Sequence, residues 1–161
     1  MKGANAISLE MNEKLLVKRV KSKNTTIEDL TKADGYIFCC PENLASVSGE
    51  MLEFFHRSYY QIFDITGSPE QKNYEEVSSI LGKPYAVAIS AGTDGSSAAS
   101  QITRICKGWR LFPVTEHPLI IRNGLVQSKG NILGEKELSL EGGKSCEGLG
   151  GLAAANILLK S

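Results

Sequence analysis

Two hydrophobic patterns alternate along this chain. Tyr36–Cys40 and Tyr85–Ser90 are short, continuous apolar runs, as in strands that are covered on both faces. Between such runs, apolar residues recur three and four positions apart, which is the spacing of an amphipathic helix. This alternation predicts a single α/β domain over residues 1–161, with an open, mostly parallel sheet and helices on both faces, a three-layer sandwich.

The remaining elements follow from the same patterns. Leu15–Val20 is predicted as a strand, and Trp109–Val114 with Pro118–Ile121 as one further, interrupted strand. In the first half of the chain, helices are predicted at Met1–Asn12, from a start near Thr25 and Glu28, and in the segment that contains Met51, Phe54 and Phe55. In the second half, they are predicted at Tyr74–Leu81, in the segment that contains Ala98, Ala99 and Ile102, and over about 16 residues from Lys144. Gly108 is predicted as the C-terminal cap of the helix that contains Ala98. Thr66–Glu76 and Asn123–Gly143 are predicted as irregular connections.

Composition narrows the function classes. Eighteen basic and eighteen acidic side chains cancel, so no overall field attracts nucleic acid or an acidic membrane. The chain also lacks an apolar run of the roughly 18 residues that a membrane span needs. The four cysteines contain no CxxC pair, and adjacent Cys39 and Cys40 point to opposite faces of a strand. We therefore expect reduced, mainly buried thiols, no metal site and a cytoplasmic setting.

Two loops have the same design. Each follows a buried strand and precedes a helix, so parallel topology places both at one edge of the sheet, where α/β proteins bind ligands. Small residues and glycine let backbone N–H groups approach a flat or anionic ligand closely. Two ordinary connections would look the same at this level. The loops are Pro41, Glu42, Asn43, Leu44, Ala45 and Ser46, and Ala91, Gly92, Thr93, Asp94 and Gly95.

These loops and their flanking residues resemble a known family. Asp34–Phe38 followed by Pro41–Gly49 is similar to the flavodoxin-like NAD(P)H-dependent FMN reductases and quinone reductases. Phe54–Tyr60 fits the helix that follows, with His56 where an aspartate is usual. Gly82–Ala86, Ser90–Gly95 and Cys146–Gly150 match later parts of the family pattern, so the resemblance spans most of the chain.

The resemblance implies an FMN-dependent oxidoreductase that moves hydride or electrons from NAD(P)H to a quinone or similar small acceptor. Pro41–Ser46 would border the flavin ring, and Ala91–Gly95 would approach its pyrimidine side. No catalytic acid or base is expected, because the cofactor carries the redox chemistry. The family often forms oligomers, which makes a homo-oligomer an expectation here.

Two departures from the family weaken the implied flavin site. Leu44 and Ala45 stand where an aromatic residue and a glycine are usual, which removes a stacking partner. Met1–Ala4 also falls within the helix after the expected phosphate loop, so the first strand and that loop are predicted to be missing. We expect weak FMN binding, in the micromolar range or poorer. The open alternatives are a flavodoxin-like module or truncated product that no longer binds FMN and serves as a non-catalytic interaction partner or inactive form, and an electron shuttle without an NAD(P)H site.

Overall fold

The computed structural model describes residues 1–10, 14–66, 75–122 and 138–159. Its helices are α1 (Lys2–Glu10), α2 (Ile27–Lys32), α3 (Gly49–Tyr59), α4 (Ser96–Gly108) and α5 (Leu140–Leu158), with a 3-10 turn at Ser22–Asn24. Its strands are β1 (Tyr36–Asn43), β2 (Ser46–Val47), β3 (Phe63–Thr66), β4 (Glu75–Ser78), β5 (Pro84–Ala91), β6 (Phe112–Pro113) and β7 (Leu119–Arg122).

The central pair of the main sheet is β1 and β5, which run parallel with Tyr36 opposite Tyr85 and Pro41 opposite Ser90. The other edge of β5 carries β6 at its start and β7 at its end, both parallel. The predicted interrupted strand is therefore confirmed, although its first part begins at Phe112, because Trp109 and Arg110 belong to the end of α4 and the turn after it. Because these strands are parallel, β1, β5 and β7 all end at the same edge of the sheet.

Helices cover the two faces of the sheet, as the sequence predicts. Tyr36, Phe38 and Cys40 of β1 face a core that also contains the buried sides of α3 and α4. Trp109 is completely buried in this core, with its ring centroid 5.1 Å from that of Phe55. On the opposite face α5 packs against β5, and α1 packs mainly on α5. This arrangement confirms the α/β class with a mostly parallel sheet.

The interpretation of β1 as a strand covered on both faces is wrong. Its burial alternates, and Ile37 on the α5 side is 41% exposed. The reason is that α5, which packs on this face, lies mainly over β5 and less over β1. Among the described residues, the outer edge of β1 pairs only at Glu42 and Asn43, with β2. The predicted absence of a first strand stays a prediction.

Three other expectations change. Residues 14–21 form no strand, and Leu16 is 89% exposed, because no described strand lies beside them. The predicted helix Tyr74–Leu81 is wrong, because Glu75–Ser78 is a strand that pairs antiparallel with β3. Position 74 lies outside the described residues, and so do most of the predicted connections Thr66–Glu76 and Asn123–Gly143. Helix α5 begins at Leu140, before Lys144, because Ser139 caps it by accepting a hydrogen bond from the Gly142 N–H.

The ends of two helices also differ from the prediction. Thr26 caps α2, one residue after the predicted Thr25, and forms a capping box with Asp29. Gly108 is the last residue of α4 and not its left-handed cap; Arg110 adopts the left-handed backbone, with φ 61°. Within the described part of the chain, no helix combines the length and apolar character that a membrane crossing requires.

Candidate functional site

The first predicted loop is a tight hairpin in the structure. Pro41–Asn43 continue β1, and Asn43 pairs with Ser46, which leaves Leu44 and Ala45 as a two-residue turn. Both turn residues have a left-handed backbone, with φ 51° and 57°. Glycine or asparagine usually occupies such positions, because a left-handed residue with a Cβ costs roughly 1–2 kcal/mol. The turn is therefore strained, and residues outside it must hold it.

A hydrogen bond joins the two predicted loops directly. The Gly95 backbone N–H donates to Glu42 Oε2 at 3.0 Å, in a partly buried position. Gly95 also precedes α4 as its N-cap residue, so the Glu42 carboxylate lies at the positive end of that helix. The expectation that the loops lie side by side at one sheet edge is confirmed by this contact.

A second connection involves a residue that the sequence did not single out. Gln101 Oε1 on α4 accepts hydrogen bonds from Ser46 Oγ at 2.9 Å and from the Val47 N–H at 3.2 Å. The sequence contains no signal for this contact, because glutamine is a common residue on the polar face of a helix. Only the register of the β1–β2 hairpin brings Ser46 and Val47 to it. The hairpin is thus attached to α4 through Gln101 and to the start of α4 through Glu42.

The second predicted loop, Ala91–Gly95, leaves backbone exposed at the sheet edge. Gly92 and Thr93 are exposed, and a Cβ added at Gly92 would meet no atom within 4 Å. Asp94 accepts hydrogen bonds from the Ser96 N–H and hydroxyl, so this carboxylate caps the loop. Gly95 has φ 78°, which a residue with a side chain rarely adopts. The open surface of the loop is therefore at Gly92 and Thr93.

The charges and apolar groups at this edge are unevenly distributed. Leu44 projects from the hairpin turn with its side chain fully exposed. Glu42 and Asp94 contribute two carboxylates. On the other side of β5, Arg122 ends β7 opposite Ala91 and is exposed. The edge therefore offers an apolar tip, open backbone and a nearby cation.

The histidines lie outside this arrangement. His56 is exposed on α3, where it lines an open groove of about 510 Å³ that contains no residue of the two loops. His117 is exposed and lies 3.9 Å from Glu116. Among the described residues, neither histidine forms a hydrogen bond or ion pair with the hairpin or the Ala91–Gly95 loop.

The cysteines are free thiols in different environments. Cys39 is exposed and Cys40 is buried, which confirms that they point to opposite faces of β1. Burial raises the pKa of the Cys40 thiol, and it raises the pKa of the completely buried Cys106 strongly. Such thiols stay protonated at neutral pH and are poor nucleophiles. Across the described residues, no group of three or more histidine, cysteine or acidic side chains is arranged to hold a metal ion.

This edge combines an exposed apolar side chain with exposed backbone. Leu44 gives an apolar surface, and the exposed backbone at Gly92 can approach a planar heterocycle, since no side chain fills the space beside it. The carboxylates of Glu42 and Asp94 both accept hydrogen bonds from the chain itself. These residues together form the candidate site, and the predicted binding roles of the individual residues stay predictions.

Comparison with known proteins shows the fold but not a family. The sequence matches none of the protein-family models compared with it, and no curated protein matches it significantly. Among solved structures, a WrbA-like flavodoxin from Agrobacterium tumefaciens is similar, with TM-score 0.60 and 10% identity over 99% of this chain and 90% of that chain. A flavodoxin from the domain Archaea has TM-score 0.59 and 11% identity, covering 96% and 85%.

An oxidoreductase from Corynebacterium diphtheriae is also similar, with TM-score 0.55 and 16% identity over 96% of this chain and 70% of that chain. All these identities are low, so the likeness concerns the fold. The chain has a flavodoxin-like α/β fold.

Proposed function

We propose that this chain binds FMN at the edge formed by the β1–β2 hairpin and the Ala91–Gly95 loop, and acts as a flavodoxin-like oxidoreductase. The observation that carries the proposal is the hydrogen bond between Gly95 and Glu42, which holds the two loops together beside an exposed leucine and an exposed glycine. Similarity to structures described as flavodoxins and as an oxidoreductase supports it at the level of the fold. Ligands of this fold bind at this edge of the sheet.

Each loop has a separate role in this proposal. Leu44 would hold the flavin ring through its apolar side chain, and Gly92 and Thr93 would hold it through their exposed backbone. Glu42 keeps the loops at a fixed separation through Gly95. The chemistry supplied when FMN is bound is transfer of hydride or electrons from NAD(P)H to a quinone or similar small acceptor.

Titration of FMN with the purified protein tests the proposal, because flavin fluorescence changes when the ring leaves water. We expect saturable binding in the micromolar range or weaker. Gly92→Val should weaken this binding at least tenfold, because the added side chain fills the space that the ring needs. The fold should survive, since a Cβ at Gly92 meets no neighbour within 4 Å.

Gly108→Val is the matched control. A Cβ at Gly108 also meets nothing within 4 Å, and Gly108 lies at the far end of the 13-residue helix α4, roughly 20 Å from the site. Its affinity for FMN should equal that of the wild type. Equal affinity of Gly92→Val and Gly108→Val for FMN would show that the Ala91–Gly95 loop is not part of the binding site.

A flavodoxin-like module without FMN is the second candidate. One observation favours it: Glu42 and Asp94 both accept hydrogen bonds from the chain itself, as expected of purely structural loop residues. In that case the wild type neither changes flavin fluorescence nor oxidises NAD(P)H in the presence of FMN and a quinone.

A further inference from the structure

The turn at Leu44 and Ala45 needs support from outside the hairpin. Neither residue is a glycine or asparagine, yet both have positive φ. The hairpin ladder offers little support, because β2 contains only Ser46 and Val47 and pairs with only two residues of β1. A hairpin this short does not fix its own turn.

Helix α4 supplies a rigid attachment point for the hairpin. Ala98 and Ile102, on either side of Gln101 along α4, are completely buried in the core. Gln101 is itself partly buried, and its Oε1 accepts hydrogen bonds from both residues of β2. The orientation of the amide is determined, because the Val47 N–H can only donate and therefore requires the oxygen on that side.

We infer that Gln101 is a positioning residue for the candidate site. By holding Ser46 and Val47, it keeps the Leu44–Ala45 turn left-handed and Leu44 exposed at the sheet edge. Gln101 itself does not contact the ligand. This inference rests on the proposed function for its effect on flavin, but its effect on the hairpin stands independently.

Gln101→Met tests the inference, because methionine keeps the length and helical preference of glutamine but removes the oxygen acceptor. Amide hydrogen exchange of Val47, followed by NMR, reports directly on the hairpin. We expect exchange at Val47 to become about tenfold faster and FMN affinity to fall about tenfold, which corresponds to about 1.4 kcal/mol.

Two further variants separate positioning from general damage. Gln101→Glu keeps an oxygen that accepts from the same two donors, so it should retain most of the Val47 protection and of the FMN affinity. Ser100→Met changes an exposed neighbour on α4 and should affect neither measurement. The amide exchange of the α4 core should be the same in all three variants.

The outcomes distinguish this inference from the proposed function. Unchanged exchange at Val47 in Gln101→Met overturns the inference, and so does faster exchange with unchanged FMN affinity. Loss in Gln101→Glu equal to that in Gln101→Met also overturns it. If the wild type binds no FMN, the proposed function fails, and the Val47 exchange of the three variants alone decides whether Gln101 holds the turn.

Discussion

Gly95 is the residue of the site whose substitution has the most calculable effect. Its backbone is left-handed, with φ 78° and ψ −10°, and it directly precedes α4. A Cβ at this position would lie 2.6 Å from Ile120 Cγ2 and 2.9 Å from Ala91 Cβ. Gly95→Ala therefore meets two independent penalties, one from the backbone conformation and one from packing.

The two penalties can be estimated separately. A left-handed residue with a Cβ costs roughly 1–2 kcal/mol, and inserting a methyl group into a packed site typically costs about 1–3 kcal/mol. The N–H that donates to Glu42 is retained, so no hydrogen bond is removed. We expect Gly95→Ala to lower the free energy of unfolding by about 2–5 kcal/mol, out of the roughly 5–15 kcal/mol typical of a domain.

Denaturant unfolding followed by Trp109 fluorescence measures this loss. Trp109 is the single tryptophan and is completely buried among aromatic rings, so its emission reports on the core. For a chain of this length, each kcal/mol corresponds to about 2–4 °C in melting temperature, which gives an independent check.

Gly82→Ala isolates the backbone penalty. Gly82 has φ 71°, but a Cβ there meets nothing within 4 Å, so this variant should lose only about 1–2 kcal/mol. Gly92→Val has neither penalty and should stay close to the wild type. If Gly95→Ala is no less stable than Gly82→Ala, the close contact with Ile120 does not constrain the loop, and the packing argument is refuted.

Three further predictions concern other parts of the chain. A Cβ at Gly3 would lie 1.8 Å from a backbone oxygen of α5, so Gly3→Ala should lower the melting temperature by several degrees. Gly148 lies on an open face of α5, so Gly148→Ala should not lower it. Thermal melts of both variants test this difference. Hydrogen bonds from the Lys18 ammonium and from Thr26 lower the pKa of Asp29 from 3.8 to about 2. The ionised Asp29 therefore stabilises the folded state above pH 4, and this stabilisation is lost as the pH falls toward 2. Asp29→Asn should flatten this part of a curve of unfolding free energy against pH, and an unchanged curve would contradict the assignment. A thiol reagent at pH 8 should label Cys39 before Cys106, which peptide mapping can show. Desolvation raises the pKa of both thiols, but of the two only Cys39 is exposed. Equal labelling of the two cysteines would contradict the burial of Cys106.

The sequence predicted the parts of the fold in which local pattern and environment agree. The apolar run of β5 is buried along most of its length, and the helical spacing of Ala98, Ile102 and Cys106 places all three in the core. For these residues the local hydrophobic pattern and the environment in the folded chain favour the same secondary structure. The position of the two loops followed from parallel topology alone.

The failures occur where a neighbouring element decides the structure. Leu15–Val20 has the composition of a strand, but strands need a paired neighbour and none is described beside it. Ile37 is as apolar as the buried residues of β1, and its exposure depends on where α5 packs, which is mainly over β5. The hairpin at Leu44 and Ala45 was hidden for a similar reason, since its turn residues contradict the usual turn chemistry.

That contradiction has an energetic counterpart in the structure. Two left-handed residues with side chains cost roughly 2–4 kcal/mol together. Three hydrogen bonds attach the hairpin to α4 and its N-cap, one through Glu42 and two through Gln101, and each contributes roughly 0.5–1.5 kcal/mol. Their combined contribution is of the same size as the strain, so loss of the Gln101 bonds leaves the turn free to relax. Local sequence rules are broken at functional sites when the surrounding structure compensates. The strained turn, the polar connections to α4 and the exposed Leu44 therefore form one unit, and a change at Gln101 should alter how Leu44 is presented to a ligand.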